Sequence, residues 1–199
     1  YTLSIIREIV ASEFERNFRA PGSILRGNCV ASKMMGAFSR KVGAEYLRDC
    51  IGKPVRDIAE DSNLSLEIDP VKLDANSKEQ TQKKNLAELM KRTGFILSQI
   101  TDPEKVKQMP KEIKAIAGFT AEYAKIYCPD RLNPLIGGFI MLRLFNPSLV
   151  TPEAFGILTS SEPLSRTARR NLTLITKILQ NLSNGVPFGS KETYMVPLN

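Results

Sequence analysis

Apolar positions recur at helical spacing almost from the first residue. Leu3, Ile6, Ile9 or Val10, and Phe14 lie three to four apart and predict a helix over residues 3–16. Ala20-Pro21-Gly22 then interrupts the pattern with a turn signal. Asn28 is a suitable N-cap for a second helix through Val42, with Val30, Met34 and Phe38 inward and Gly43 as its stop. Two short helices are expected next, over 44–51 and over 53–60, with Pro54 near the start of the latter. Leu64, Leu66 and Ile68 alternate with Ser65 and Glu67, which predicts one short extended segment. A strand without a partner makes no sheet.

A long helix over 77–100 follows, with Leu86, Leu89, Met90, Thr93, Leu97 and Ile100 on its buried side. Pro110 opens another to Tyr127, striped by Ile113, Ile116, Thr120 and Tyr123. Residues 133–146 are apolar nearly all round, so they belong at the centre of the molecule. Thr151-Pro152-Glu153 reads as the cap and first turn of a short helix. Ser165 caps the last long one, over 166–183, with Leu172, Ile175, Leu179 and Leu182 inward and Gly185 as its end. There is no solenoid repeat and no low-complexity linker. The expected fold class is all-α, an irregular helical bundle, with residues 1–199 as a single domain.

Composition narrows the chemistry. The chain contains no histidine, which removes His-based triads, histidine metal sites and the usual general base at neutral pH. No GxxxxGK[ST] loop and no GxGxxG fingerprint is present, so the chain is not expected to bind a nucleotide by itself. Cys29, Cys50 and Cys128 are odd in number and widely spaced, which fits a reducing, intracellular compartment. Asn63, Asn171 and Asn181 each begin a three-residue glycosylation sequon, but the last two fall on a helix that must pack. A net charge of +7 suits an acidic partner, whether nucleic acid, an anionic membrane or an acidic protein face, and equally suits plain solubility.

Two arginines stand out. Arg143 sits inside Phe139-Ile140-Met141-Leu142-Arg143-Leu144-Phe145-Asn146, where a guanidinium must be paired or hydrogen-bonded to offset its desolvation. By itself this describes an internal tie to a loop or a carboxylate as well as a functional group. Arg26 lies between a Pro-Gly turn and a helix start, flanked by Gly27, where its side chain can project into solvent.

The segment Leu25-Arg26-Gly27-Asn28-Cys29-Val30-Ala31-Ser32-Lys33 closely resembles the arginine-finger motif of Ras GTPase-activating proteins, Leu-Phe-Arg-Gly-Asn-Ser-Leu-Ala-Ser/Thr-Lys. Met141-Leu142-Arg143-Leu144-Phe145-Asn146-Pro147-Ser148-Leu149-Val150-Thr151-Pro152 resembles the family's second signature, Phe-Leu-Arg-x-x-x-Pro-Ala-x-x-x-Pro. Leu66-Glu67-Ile68-Asp69-Pro70, Lys177-Ile178-Leu179-Gln180-Asn181-Leu182 and the tail from Phe188 to Met195 are similar to further family blocks, in the same order. Leu25 and Met141 stand where the family has phenylalanine, and Ser148 where it has alanine; the apolar changes bear on packing more than on chemistry. The family's domain usually carries more helices upstream, so the resemblance implies a catalytic core from a larger protein.

The resemblance implies the bundle of the Ras GTPase-activating domain and a chain that is not itself an enzyme. Its partner is a Ras-family small GTPase in the GTP-bound state, with Rap proteins as further candidates because some family members act on them. Arg26 is the finger given to that partner, and its backbone carbonyl helps to hold the glutamine that orients the attacking water. Arg143 stabilises the finger loop, and Lys177, Leu142 and Asn146 lie on the GTPase-binding groove. No cofactor is implied, because the GTP and magnesium belong to the partner. Nor is nucleic acid expected, and a membrane only indirectly, the domain being cytoplasmic and brought to the inner face of the plasma membrane through its GTPase or other domains. The cluster Arg166, Arg169 and Arg170 either steers an acidic partner or forms a solvated face. A non-catalytic scaffold of the same fold is the alternative, and its members typically lack the arginine that this chain has. A basic module for nucleic acid or lipid accounts for the charge but leaves both arginines as coincidences.

Overall fold

The computed structural model describes residues 1–158 and 164–199. Among these the α-helices are α1 (Thr2–Asn17), α2 (Val30–Ala59), α3 (Lys78–Thr101), α4 (Pro103–Gln108), α5 (Lys111–Tyr127), α6 (Leu132–Ile140), α7 (Asn146–Val150) and α8 (Arg166–Asn184), with no strand. The fold is all-α, as the apolar periodicity predicts. Helix α1 buries Ile6, Val10 and Phe14 and packs chiefly on α5. Each such side chain contributes about 1.5–3 kcal/mol when fully buried. Phe14 lies 5.9 and 6.2 Å from the ring centroids of Tyr123 and Tyr127, tilted as aromatic quadrupoles prefer.

The stretch expected as three helices between residues 28 and 60 is one helix of 30 residues. Gly43 does not stop it. A Cβ there would sit 3.0 Å from both Ile113 Cδ1 and Leu144 Cδ1, so the glycine marks a close helix crossing. Pro54 does not start a new helix either; it lies inside α2. Its missing N–H frees the carbonyl of Cys50, four residues back. Lys105 Nζ donates to that carbonyl at 3.0 Å, which replaces the lost partner. The helix start also differs by one residue. Cys29 is the N-cap, extended at φ −83° and ψ 168°, with its Sγ accepting from Ser32 N at 3.4 Å.

Residues 64–68 belong to no helix and pair with no strand. Side-chain amides satisfy their backbone instead. Asn171 on α8 accepts from Leu66 N and donates to Leu64 O, both at 2.8 Å. Asn85 and Gln82 on α3 donate to Glu67 O at 2.7 Å and Ile68 O at 2.8 Å. This arrangement gives partners to four backbone groups of the segment where Leu66 and Ile68 enter the core. It also places Asn171 in the interior, in keeping with setting its sequon aside.

The apolar run at the centre is continuous but not uniform. Residues Met141–Phe145 between α6 and α7 form a wide π turn, and Asn146 N donates to Met141 O. Pro147 has no N–H for the carbonyl four residues back, so a regular turn cannot be completed there, and the wider turn accommodates its ring. Ser165 caps α8 by accepting from Ala168 N at 3.0 Å, and Gly185 ends it at φ 62°, as predicted. Three expected core residues face solvent: Val30, the first residue of α2, is 63% exposed, Met90 54% and Leu182 59%. Met90 and Leu182 flank an apolar groove between α3, α8 and the C-terminal segment. Asn85 and Ile96 take their share of the interior side of α3.

Candidate functional site

The loop between α1 and α2 is built by successive turns. Ser23 N donates to Ala20 O at 2.9 Å, and Arg26 N to Ser23 O at 3.1 Å. Ile24 and Leu25 are buried, which anchors the loop to the core and leaves Arg26 exposed at its tip. Leu25 reaches this position only with a left-handed backbone, φ 58°. That conformation costs a branched apolar residue about 1–2 kcal/mol, so the surroundings must enforce it.

Arg143 does so. From the π turn its Nη2 donates to three successive loop carbonyls: Leu25 O at 2.8 Å, Arg26 O at 3.2 Å and Gly27 O at 3.3 Å. Ser32, in the first turn of α2, adds a hydroxyl donor to Gly27 O at 2.7 Å. The guanidinium is half-buried and ties a loop, with no carboxylate beside it among the described residues. Burial, partly offset by neighbouring Cys29, pulls its pKa below the ordinary arginine value. Its Nε is buried without a hydrogen-bond partner. The Arg26 guanidinium crosses to the last residue of α8, donating to Asn184 Oδ1 at 3.2 Å.

Helix α8 supplies the opposite wall. Lys177, Gln180 and Asn184 are spaced three and four apart, which places them on one face. Lys177 is ion-paired with Glu192 of the C-terminal segment. Asn146 is only 6% exposed, and its Nδ2 donates to Gln180 Oε1 at 2.6 Å while its Oδ1 has no partner. Leu142 is half-buried beside Arg143 and lines a groove of about 280 Å³ with Ser32, Lys33, Arg40 and Pro147. The predicted residues therefore surround the finger loop and α8, but in different capacities. Arg26 is exposed, Arg143 braces it, Leu142 lies at the surface, Lys177 is engaged by Glu192, and Asn146 sits behind Gln180.

Sequence reasoning missed Ser32, Gln180 and Asn184. The polar face of α8 contained the signal for the last two. The arginine cluster at the start of α8 serves mostly as internal ties. Arg169 bonds Val150 O at 3.1 Å and Glu153 at 2.8 Å, and Arg170 grips Glu67 in two-pronged fashion at 2.7 and 2.8 Å. Arg166 is exposed. Among the described residues no group of three His, Cys, Asp or Glu side chains is placed to hold a metal. No helix among them is long and apolar enough to cross a membrane.

The sequence has counterparts among known proteins. Residues 5–184 match the family model described as GTPase-activator protein for Ras-like GTPase. Neurofibromin-A of Dictyostelium discoideum is 45% identical over 210 residues, covering 100% of this chain and 23% of that protein. A probable Ras GTPase-activating-like protein, ngap, of the same organism is 34% identical across 90% of the chain and 20% of its own length. Ras GTPase-activating protein gap-2 of Caenorhabditis elegans is 34% identical across 88% of the chain and 14% of its own length. The chain thus spans less than a quarter of each of these relatives. With the family model matching residues 5–184 and neurofibromin-A 45% identical across the whole chain, the chain belongs to the family of GTPase-activator proteins for Ras-like GTPases.

Proposed function

We propose that this chain stimulates GTP hydrolysis by a Ras-family GTPase, in its GTP-bound state, by inserting Arg26 into the partner's nucleotide site. The observation that carries the reading is the construction of the loop: an exposed guanidinium at the tip, with three consecutive backbone carbonyls held behind it by Arg143. A finger is useful only if its backbone is fixed before the partner arrives, since ordering it afterwards would subtract from transition-state stabilisation.

The chemistry needs no general base from this chain. As negative charge spreads over the transferring phosphoryl oxygens, Arg26 provides the countercharge in a site from which water is excluded. For Ras and its activator the known acceleration is about 10⁵-fold. At 1.36 kcal/mol per decade that is roughly 7 kcal/mol of barrier. Arg26 O accepts from Arg143, and a carbonyl oxygen has a second lone pair with which to hold the partner's water-orienting glutamine. Leu142 offers an apolar contact on the groove. Lys177 meets the partner from α8, and Asn146 bears on it by orienting Gln180. The nucleotide and its magnesium come with the GTPase, and any membrane association comes through the GTPase or through other domains.

The test is single-turnover GTP hydrolysis by a panel of Ras and Rap GTPases. Arg26→Ala is expected to lower stimulated hydrolysis by a factor on the order of 10³ or more while leaving affinity for the GTP-bound partner largely intact. Full stimulation by that variant ends the finger assignment.

A further inference from the structure

We propose that Asn184 holds Arg26 in a resting position in the free domain and lets it go when a GTPase enters the groove, so that Asn184 sets the accessibility of the finger. The inference rests on the finger reading above. It starts from the one hydrogen bond that, among the described residues, joins the loop to α8, from Arg26 Nη2 to Asn184 Oδ1 at 3.2 Å, between residues 158 positions apart.

The two ends of this bond differ in how they are held. Asn184 is the last residue of α8, half-buried, in a turn closed by Gly185 N to Leu182 O and Val186 N to Asn181 O, both at 3.1 Å. Arg26 is an exposed side chain on a braced backbone. The arginine therefore comes to the asparagine. The position also lies at the C-terminal end of a 19-residue helix, where unpaired carbonyls carry partial negative charge and attract a cation.

A guanidinium lying against α8 cannot at the same time extend into a pocket on another molecule. The contact thus belongs to the free state and is exchanged for phosphate oxygens during docking. An interaction present in the ground state and absent from the transition state raises the barrier by its own worth. Asn184 is a neutral acceptor and the bond is exposed, so this worth corresponds to only a few-fold in rate. Such a contact keeps a long, flexible arginine from wandering and still releases it readily. Asn184 is in this sense a positioning residue that acts through Arg26.

Two substitutions at one site give opposite expectations. Asn184→Ala removes the acceptor and is expected to raise kcat/KM for stimulated hydrolysis by about threefold, through KM, with kcat unchanged. Asn184→Asp makes the acceptor anionic and is expected to lower kcat/KM by about tenfold at low salt, with recovery at high ionic strength. In an Arg26→Ala background both changes should leave the affinity for GTP-loaded Ras the same. General destabilisation of α8 cannot produce gains and losses at the same position. An Asn184→Ala variant with unchanged or reduced kcat/KM overturns the latch while leaving the finger intact, as do equal effects with and without Arg26. If Arg26→Ala itself retains full stimulation, the finger reading falls and the latch falls with it.

Discussion

Arg143→Ala isolates the brace from the finger. The side chain makes three contacts, but one nitrogen supplies them, so their loss counts as one charge-assisted interaction rather than three. Such a bond contributes about 1.5–3 kcal/mol, and half-exposure favours the lower part of that range. The left-handed Leu25 stores a further cost, about 1–2 kcal/mol, which the brace offsets in the intact domain. A net shift of about 2 kcal/mol away from the ordered loop lowers the ratio of ordered to open loop by roughly thirtyfold. Stimulated kcat/KM should fall by up to that factor in single-turnover hydrolysis, and the Arg26 amide should exchange hydrogen faster by about the same factor. The melting temperature should fall by only a few degrees, because a chain of this size shifts by about 2–4 °C per kcal/mol and part of the opening is local. Arg143→Lys keeps the charge but loses the planar fork, so only part of the activity should return. A variant whose rate stays within twofold of the parent, or whose rate falls while loop exchange is unaltered, would refute the brace.

Three further outcomes are expected. Gly43→Ala should destabilise the domain by about 1 kcal/mol, because overpacking against buried Ile113 and Leu144 exceeds the gain in helix propensity; a raised melting temperature contradicts this. Burial pushes the Glu67 carboxyl up, but Arg170, the Asp69 amide and Lys72 together bring it below its ordinary value, so its stabilising contribution is present above the unfolded pKa and lost as pH falls through the folded one. Glu67→Gln should therefore melt lower than the parent at neutral pH, with the gap closing in acid below about pH 4; a gap independent of pH would show that the ion pair is not responsible. Lys177→Ala should weaken affinity for the GTP-bound partner several-fold with kcat little changed, and an unaltered dissociation constant removes Lys177 from the interface.

How far the sequence could be read depended on the range of the interactions involved. Helix α8 was legible because its signals are local: Ser165 caps one end, Gly185 turns the other, and Leu172, Ile175 and Leu179 keep the period between. The same local grammar misled at Gly43 and Pro54. Gly43 answers to a helix crossing, and Pro54 is tolerated because Lys105 reaches its orphaned carbonyl from α4. Met90 and Leu182 fit the apolar stripes of their helices but face solvent, since a stripe does not reveal where its neighbour ends. In the site, the motif resemblance marked Arg26 and implied that Arg143 stabilises its loop, while the apolar run around Arg143 showed that the guanidinium needs partners. That those partners are the carbonyls of residues 25–27 could not be read from spacing, because the segments are 116–118 positions apart and the fold brings them together. Motif position points to Asn146 but does not reveal that the residue is nearly buried and hydrogen-bonded to Gln180.

The unbroken α2 has a mechanical corollary. At 1.5 Å per residue its 30 residues make a rod about 45 Å long, with the finger loop at one tip and the Pro54 turn near the other. A tilt of only about 2° about the distal end displaces the proximal tip by roughly 1.5 Å, a distance at which catalytic alignment is lost. Lys105, fastened to the Cys50 carbonyl, therefore acts as a distant anchor for aim. If the proposed function holds, changes on that remote side of the molecule lower stimulation without altering any residue assigned to the GTPase-binding face.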